Sequence, residues 1–561
     1  MHSKYLAAAS QAASVLMFVL ALAAAGCAPE HDHRQPPPRP SAAASVAMAP
    51  PASGAPAAVR KPALPDANMA RAAIPDAFKW QLAPVFADDA AFEQALGDAA
   101  RLRAELGAFE GKLGDAKRLR GCLKLYFEAR LLTNKLTLYA NLRQDTDQSS
   151  APLQAMFERS LAAMNALMGQ AAFIRRHVLG LDDAAMKRAY RAEPGLGEYR
   201  PYLDELRRRR ARVLGVEAER VLSLAGDNLW AEIDLNELPS DFEKIFKAMR
   251  TDLTLPPIKD EEGKKVQLTL SSYGRYRGSE QRAVRRAAVE GLLGALRGRE
   301  HAFAAALAGQ IRFNVFKDSG AFCIAVYGIH PFVKTNYLDE VDDLSTLSHE
   351  YGHALHYHLS MSSQPYVTAN YSPFLAEVAS TLNEKLLSDH LLRRARSDEE
   401  RLYLLNRLVE TVRTTLFRQA MFAEFELAVH SAAEAGTPVT AELLDRTYGE
   451  LVRAYYGGDL TLGPNDAVEW AYIPHFFYKY YVYAYATGLA ASLDLAERVA
   501  SGGAEAREAY LAMLRAGSSK PPLELLRAAG VDLTRPDAIA AAARLMDRAL
   551  AEIEAILAKK G

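Results

Sequence analysis

Four of the chain's 13 histidines fall within the short stretch "SHEYGHALHYHLS" (residues 348–360), and two of them, His349 and His353, are four positions apart with Glu350 directly after the first. On a helix turning by about 100° per residue, positions i and i+4 share a face. Two imidazoles so placed converge on one metal ion, and the intervening glutamate of an H-E-x-x-H pattern is positioned to reach a water on that ion. The chemistry this spacing suggests is metal-assisted hydrolysis, with Glu350 as general base.

The other two histidines read differently. His356 lies on the metal-facing side but roughly 10 Å along the helix axis from His349, which suits a supporting or substrate-contacting role rather than ligation. His358 falls back among the leucines as a core or rim residue. The longer pattern with a third histidine fails, because His356 stands where its glycine belongs and Leu359 where its last histidine belongs.

A helix must carry these residues. Asp342 and Asp343 offer a capped start, and Leu344, Leu347, Tyr351 and Leu355 form an apolar stripe opposite His349 and His353. The third ligand has to come from elsewhere, and "SPFLAEVASTLNEKLL" (372–387) offers it. Ser372 and Pro373 begin a helix as N-cap and N1, and Leu375, Val378, Leu382 and Leu386 form its buried stripe. Glu377, Ser380, Thr381 and Glu384 share another face, with Glu377 the expected ligand and Glu384, two turns on, the competing one. Just upstream of the histidines, "AFCIAVYGIHPFVKTNY" (321–337) is the clearest strand candidate.

The rest of the chain reads as long helical patterns. Examples are residues 88–113, 151–179 and 279–316, with apolar positions three and four apart, so the fold class is mainly α. A chain of 561 residues that is 50% hydrophobic can bury a large core. Its 67 basic and 68 acidic residues leave a net charge of -1, which provides no general field for nucleic acid or anionic membranes. The arginines at 207–210 and 212 read as a solvated helix face.

The first residues form a separate unit. Lys4 precedes the apolar stretch "VLMFVLALAAA" (15–25), too short for a membrane span of about 20 apolar residues. Ala24, Ala25 and Gly26 lead into Cys27, so residues 1–26 are expected to be an export signal, and "AAGC" resembles a bacterial lipobox with Cys27 as the lipidated residue. Residues 27–67 are rich in Pro and Ala and read as a disordered tether, in which His31 and His33 are given no site. The expected location is therefore the bacterial cell envelope, at the outer membrane or the periplasmic face, with the membrane touched only through the lipid. Cys122 and Cys323 read as apolar thiols rather than a bridge.

Taken together, "HEYGHALH", "FLAEVASTLNE", "WAYIPHFFYKYYVYAYATG" (470–488) and the late "LELLRAAGVDLTRPDAIAAAARLMDRALAEIEAIL" resemble the oligoendopeptidase F family of zinc metallopeptidases, relatives of thimet oligopeptidase and neurolysin. The resemblance implies a two-lobed helical fold around a deep central channel, with a small β element near the metal helix and short peptides as substrates. It implies one Zn2+ ion on His349, His353 and Glu377, with Glu350 as base. His475, Tyr483 and one of Tyr480 or Tyr481 match positions that contact substrate and stabilise the tetrahedral intermediate, while Phe476, Phe477, Tyr478 and Tyr485 read as core packing. An N-terminal helical region (68–225) would precede a catalytic region (226–561). Two departures from the family pattern are Tyr472, where a basic residue is common, and Tyr351, which replaces a frequent leucine. The alternatives are an inactive peptide- or zinc-binding lipoprotein and a peptidyl-dipeptidase; oligomeric state is not legible.

Overall fold

The computed structural model describes residues 74–147, 150–208, 249–250, 253–312, 321–335, 341–457, 460–477 and 480–559. The export signal, Cys27, the tether, three of the five arginines at 207–212 and the boundary near residue 225 lie outside the described residues.

The N-terminal region is a stack of helices: α1 (Asp89–Gly107), α2 (Ala116–Thr146), α3 (Ala151–Gly180), α4 (Asp183–Ala192) and α5 (Arg200–Arg208). Their starts follow the capping rule, in which a side-chain oxygen satisfies an orphan amide of the first turn. Asp88, Asp115 and Asp182 each accept from the amide three residues on. Leu123, Phe127, Phe173, Ile174 and Leu203 build one core here. A neighbouring core joins Phe92, Leu136 and Leu142 to Val326 and Phe332 from outside the stack.

Those two residues belong to a hairpin. The strand candidate at 321–337 folds into two short antiparallel strands, with Cys323 opposite Val333 and a glycine, Gly328, taking φ +81 in the connection. The strands are β3 (Phe322–Ile324) and β4 (Phe332–Lys334); an earlier pair, β1 (Pro257–Lys259) and β2 (Lys265–Gln267), is also antiparallel. Trp80 donates its indole N–H to the Val333 carbonyl at 3.0 Å, which fastens the hairpin to the N-terminal region.

Between the two sheets run α6 (Leu270–Arg277), α7 (Arg282–Arg297) and α8 (Glu300–Arg312). The helical pattern at 279–316 is thus two helices, parted at Gly298 and Arg299. The helices that matter for the site follow: α9 (Val341–Ser363), the single turn α10 (Tyr366–Ala369), α11 (Pro373–Arg394), α12 (Asp398–Val412), α13 (Arg418–Glu434) and α14 (Ala441–Tyr456). A π-helical turn, Arg413–Phe417, joins α12 to α13. After two 3-10 turns, Asp466–Tyr472 and Pro474–Phe477, come α15 (Tyr483–Ser501), α16 (Gly503–Arg515), α17 (Pro522–Ala528) and α18 (Asp537–Ala558). One core gathers α11, α12, α15 and α18, and another gathers α6, α7, α8, α13, α14 and the 3-10 turns. The helix α15 is buried almost all round from Ala484 to Ala496, as expected of a helix through the middle of a helical domain.

The expected stripe on α11 is present at Leu375, Val378 and Leu382, all 1% exposed or less, whereas Leu386 is 41% exposed. Each such fully buried leucine or valine stabilises the fold by about 2 kcal/mol. The expectation for α9 is reversed. Tyr351 is 59% exposed and Leu355 36%, while the buried positions are Glu350, Gly352, His356 and Ser360. The reason is that α9 packs its polar face on α11, so the site rather than the apolar stripe faces the interior. Cys122 and Cys323 are free thiols. No helix among the described residues is long and apolar enough to cross a membrane.

Candidate metal centre

Two close helix approaches assemble the centre. A Cβ at Gly352 would lie 2.5 Å from the Ser380 Cα, so α9 and α11 touch backbone to backbone there. A Cβ at Gly488 would lie 2.7 Å from the Glu377 Cβ, which brings α15 against α11 at the residue expected to be the third ligand.

With the helices so spaced, ligand atoms of His349, His353 and Glu377 lie within 4.8 Å of one another. His349 Nε2 is 3.1 Å from His353 Nε2 and 3.3 Å from Glu377 Oε2, and His353 Nε2 is 3.8 Å from the same oxygen. Donors each about 2.0–2.1 Å from a tetrahedral zinc ion stand about 3.4 Å apart, so the three atoms fit one small ion with little movement.

Glu384 takes a different part from the one weighed for it. Its Oε1 accepts from His349 Nδ1 at 2.7 Å and its Oε2 from the Ser345 hydroxyl at 2.9 Å. The bond puts a proton on Nδ1 and leaves the Nε2 lone pair for a metal, the carboxylate–histidine arrangement that fixes ring and tautomer. Replacing Glu377 by alanine is expected to abolish tight metal binding, whereas Glu384→Ala should weaken it by about 10–100-fold. Equal losses, measured by metal titration, would put both carboxylates on the ion.

The electrostatics also call for a cation. Burial opposes a charge on His349, yet its bonds to Glu377 and Glu384 outweigh that and lift it to about 10. Burial likewise opposes a charged Glu377, but His349, His353 and the Ser380 hydroxyl hold it down to about 2. In the metal-free protein the group keeps a proton that a metal must displace. Between pH 6.5 and 10, metal binding is therefore expected to release about one proton and to tighten roughly tenfold per pH unit. Calorimetry in buffers of different ionisation enthalpy reads this directly, and the absence of proton release would contradict it.

Glu350 is 5% exposed and follows the ligand His349 on α9. Its charge is felt at Cys323 on β3, where burial first and Glu350 second push the thiol up to about 12, and at Tyr485 on α15. It therefore lies within electrostatic reach of both the hairpin and α15.

The aromatic run divides. Tyr481 donates from its hydroxyl to Glu377 Oε1 at 3.3 Å. Tyr485, read from sequence as a packing residue, shares a hydrogen bond of 3.2 Å with His475 Nε2 and also bonds Tyr481. Burial pushes its hydroxyl pKa up, so it stays a donor. Tyr483 packs against Phe374, and Tyr480 turns to the other side, its ring 4.6 Å from His430. Of the ambiguous pair, Tyr481 is the one brought to the metal group.

His356 is fully buried and stacked flat on Tyr371 at 3.6 Å, and burial first, then His353, lower it to about 3. It is a neutral packing residue, not a substrate contact. His358 is exposed. Tyr472, at the position where a basic residue is common, lies under the Arg250 guanidinium, 5.0 Å from its ring centre.

Residues 311–545 match the family model described as peptidase family M3, and residues 178–229 match that of oligopeptidase F. The chain is 29% identical to the plasmid oligoendopeptidase F of Lactococcus lactis subsp. cremoris over 87% of its own length and 98% of that protein. It is 43% identical to oligopeptidase PepF of Bacillus subtilis over 44% of its length, a match that spans 37% of that relative. Among solved structures, oligoendopeptidase F from Enterococcus faecium superposes with a TM-score of 0.67 at 27% identity, covering 84% of this chain and 99% of the other. The chain belongs to peptidase family M3, in its oligoendopeptidase F branch. It is accordingly a metalloendopeptidase of oligopeptides, and neither an inactive binding protein nor a peptidyl-dipeptidase is favoured.

Proposed function

We propose that the metal is a single zinc ion held by His349, His353 and Glu377, and that the protein cuts internal bonds of short, unstructured peptides with Glu350 as general base. The convergence of those three side chains on one point, with the buried Glu350 directly following His349 on α9, carries this reading. When bound, zinc supplies Lewis-acid chemistry, polarising the scissile carbonyl and making a water more acidic.

The chain does the rest. Glu350 takes the proton of the attacking water and passes it to the leaving amine. Tyr481, Tyr485 and His475 form a hydrogen-bonded cluster next to Glu377, from which hydroxyl and imidazole groups turn to the oxyanion. One such donor contributes about 3–4 kcal/mol to transition-state stabilisation. Tyr483, whose ring lies 6.3 Å from that of Phe374 on α11, contacts the substrate in this reading, while Tyr480 packs on His430.

The test is cleavage of a mixed-length peptide library, read by mass spectrometry with and without a chelator. Chelator-sensitive internal cuts in short peptides are expected. Cleavage that survives complete metal removal would sink the proposal, as would release of C-terminal dipeptides alone.

The same proposal places the protein on the cell envelope. Residues 1–26 act as export signal, Cys27 carries lipid, and residues 27–67 tether the helical N-terminal region (68–225) and the catalytic region (226–561). Cys27→Ser is expected to move the protein from the membrane to the soluble fraction, and unchanged membrane association would defeat the anchor.

A further inference from the structure

A second buried acid lies on α13, away from the metal ligands. Glu426 is 3% exposed, and its Oε1 accepts the backbone N–H of Tyr480 at 2.5 Å. Burial pushes the carboxyl up to about 8, so at neutral pH it serves as a hydrogen-bonding group rather than as a charge. Its recorded partner is a backbone amide and not a cation, which makes an ion-pair role an inadequate account of it.

The backbone it holds is unusual. Tyr480 has φ +52 and is the one non-glycine residue with positive φ among the described residues. For a side chain bearing a Cβ, that conformation costs about 1–2 kcal/mol, and it persists only where surrounding contacts enforce it. Two contacts from one face of α13 do so. Glu426 takes the amide, and His430, one turn further along, lies with its ring 4.6 Å from the Tyr480 ring.

The left-handed residue has a directional consequence. It lets Tyr480 turn toward α13 while the very next residue, Tyr481, turns toward Glu377 and Tyr485. We infer that Glu426, assisted by His430, is a positioning residue for peptide hydrolysis: its bond to the Tyr480 amide maintains the turn that aims Tyr481 at the metal side. This rests on the reading of Tyr481 as an oxyanion donor given above.

The experiment compares E426M, which fills similar volume without an accepting oxygen, with E426A and E426Q in the full chain loaded with zinc, using a quenched short peptide. E426M and E426A are expected to lower kcat by about 10-fold or more, with KM within about threefold of the parent and metal content unchanged. E426Q retains an accepting oxygen and should stay within about threefold of the parent. Because glycine adopts the left-handed region without penalty, the loss caused by E426M should shrink in the Y480G background. Amide hydrogen exchange at residues 480–482 should quicken in E426M and remain parental in E426Q.

Parental kcat in E426M, an E426Q as slow as E426M, or an undiminished loss in the Y480G background would each overturn the inference. If the parent protein cleaves no peptide, the functional reading fails instead, and the exchange measurement still decides whether Glu426 holds the turn.

Discussion

Glu350→Gln is expected to bind zinc as tightly as the parent and to cleave peptides about 100- to 10,000-fold more slowly, the range for loss of a positioned general base. The two halves of this result have separate causes. In the proposed centre metal affinity is set by His349, His353 and Glu377, with Glu384 on the far nitrogen of His349. Glutamine is nearly the same shape, so α9 keeps its seat on α11. What is lost is the proton acceptor. Steady-state kinetics paired with metal analysis checks both halves; turnover close to the parental rate would remove Glu350 from the mechanism, and loss of metal would mean that the carboxylate holds the site together.

Much of this centre was legible in the sequence because it depends on helical periodicity, which is local. His349, Glu350 and His353 needed only the i, i+4 rule, and the start of α11 at Ser372 and Pro373 needed only capping. Glu377 was reachable from the face it shares with Glu384. The distinction between those two carboxylates was not legible, since it turns on which nitrogen of His349 each one meets, a matter of how α9 and α11 are rotated against each other.

The same rotation hid the burial pattern of α9. An apolar stripe ordinarily marks the inward face, but on this helix Tyr351 and Leu355 are exposed while Glu350 and His356 are buried. Metal-site geometry overrode the hydrophobic pattern. Periodicity also says little about the aromatic run at 475–485, where 3-10 turns and a left-handed residue interrupt any helical register before α15 begins. That is why Tyr485 was read as packing and the choice between Tyr480 and Tyr481 stayed open.

Gly352→Ala should be among the most damaging single-methyl changes in the chain, although it touches no ligand. The added carbon would sit 2.5 Å from the Ser380 Cα, 2.6 Å from the Ala379 carbonyl oxygen and 2.8 Å from the Ser380 amide nitrogen. All three are backbone atoms, so no rotamer change relieves the clash, and α9 and α11 must part by about 1 Å to restore ordinary contact. Overpacking of this kind costs about 1–3 kcal/mol of stability. A shift of about 1 Å between groups that must act together costs on the order of 100-fold in rate. The centre is exposed to such a shift because its ligands divide between the two helices, His349 and His353 on α9 and Glu377 on α11. We therefore expect G352A to melt about 1–3 °C lower, to bind zinc at least about tenfold more weakly and to lose most of its activity. Gly294 on α7 is the control, since a Cβ there meets nothing within 4 Å and alanine favours the helix by about 1 kcal/mol. G294A should thus melt at or above the parental temperature with zinc affinity intact. A G352A protein with parental zinc affinity and activity would show that the two helices can separate without moving the ligands, and that the close approach at Gly352 does not set the geometry of the centre.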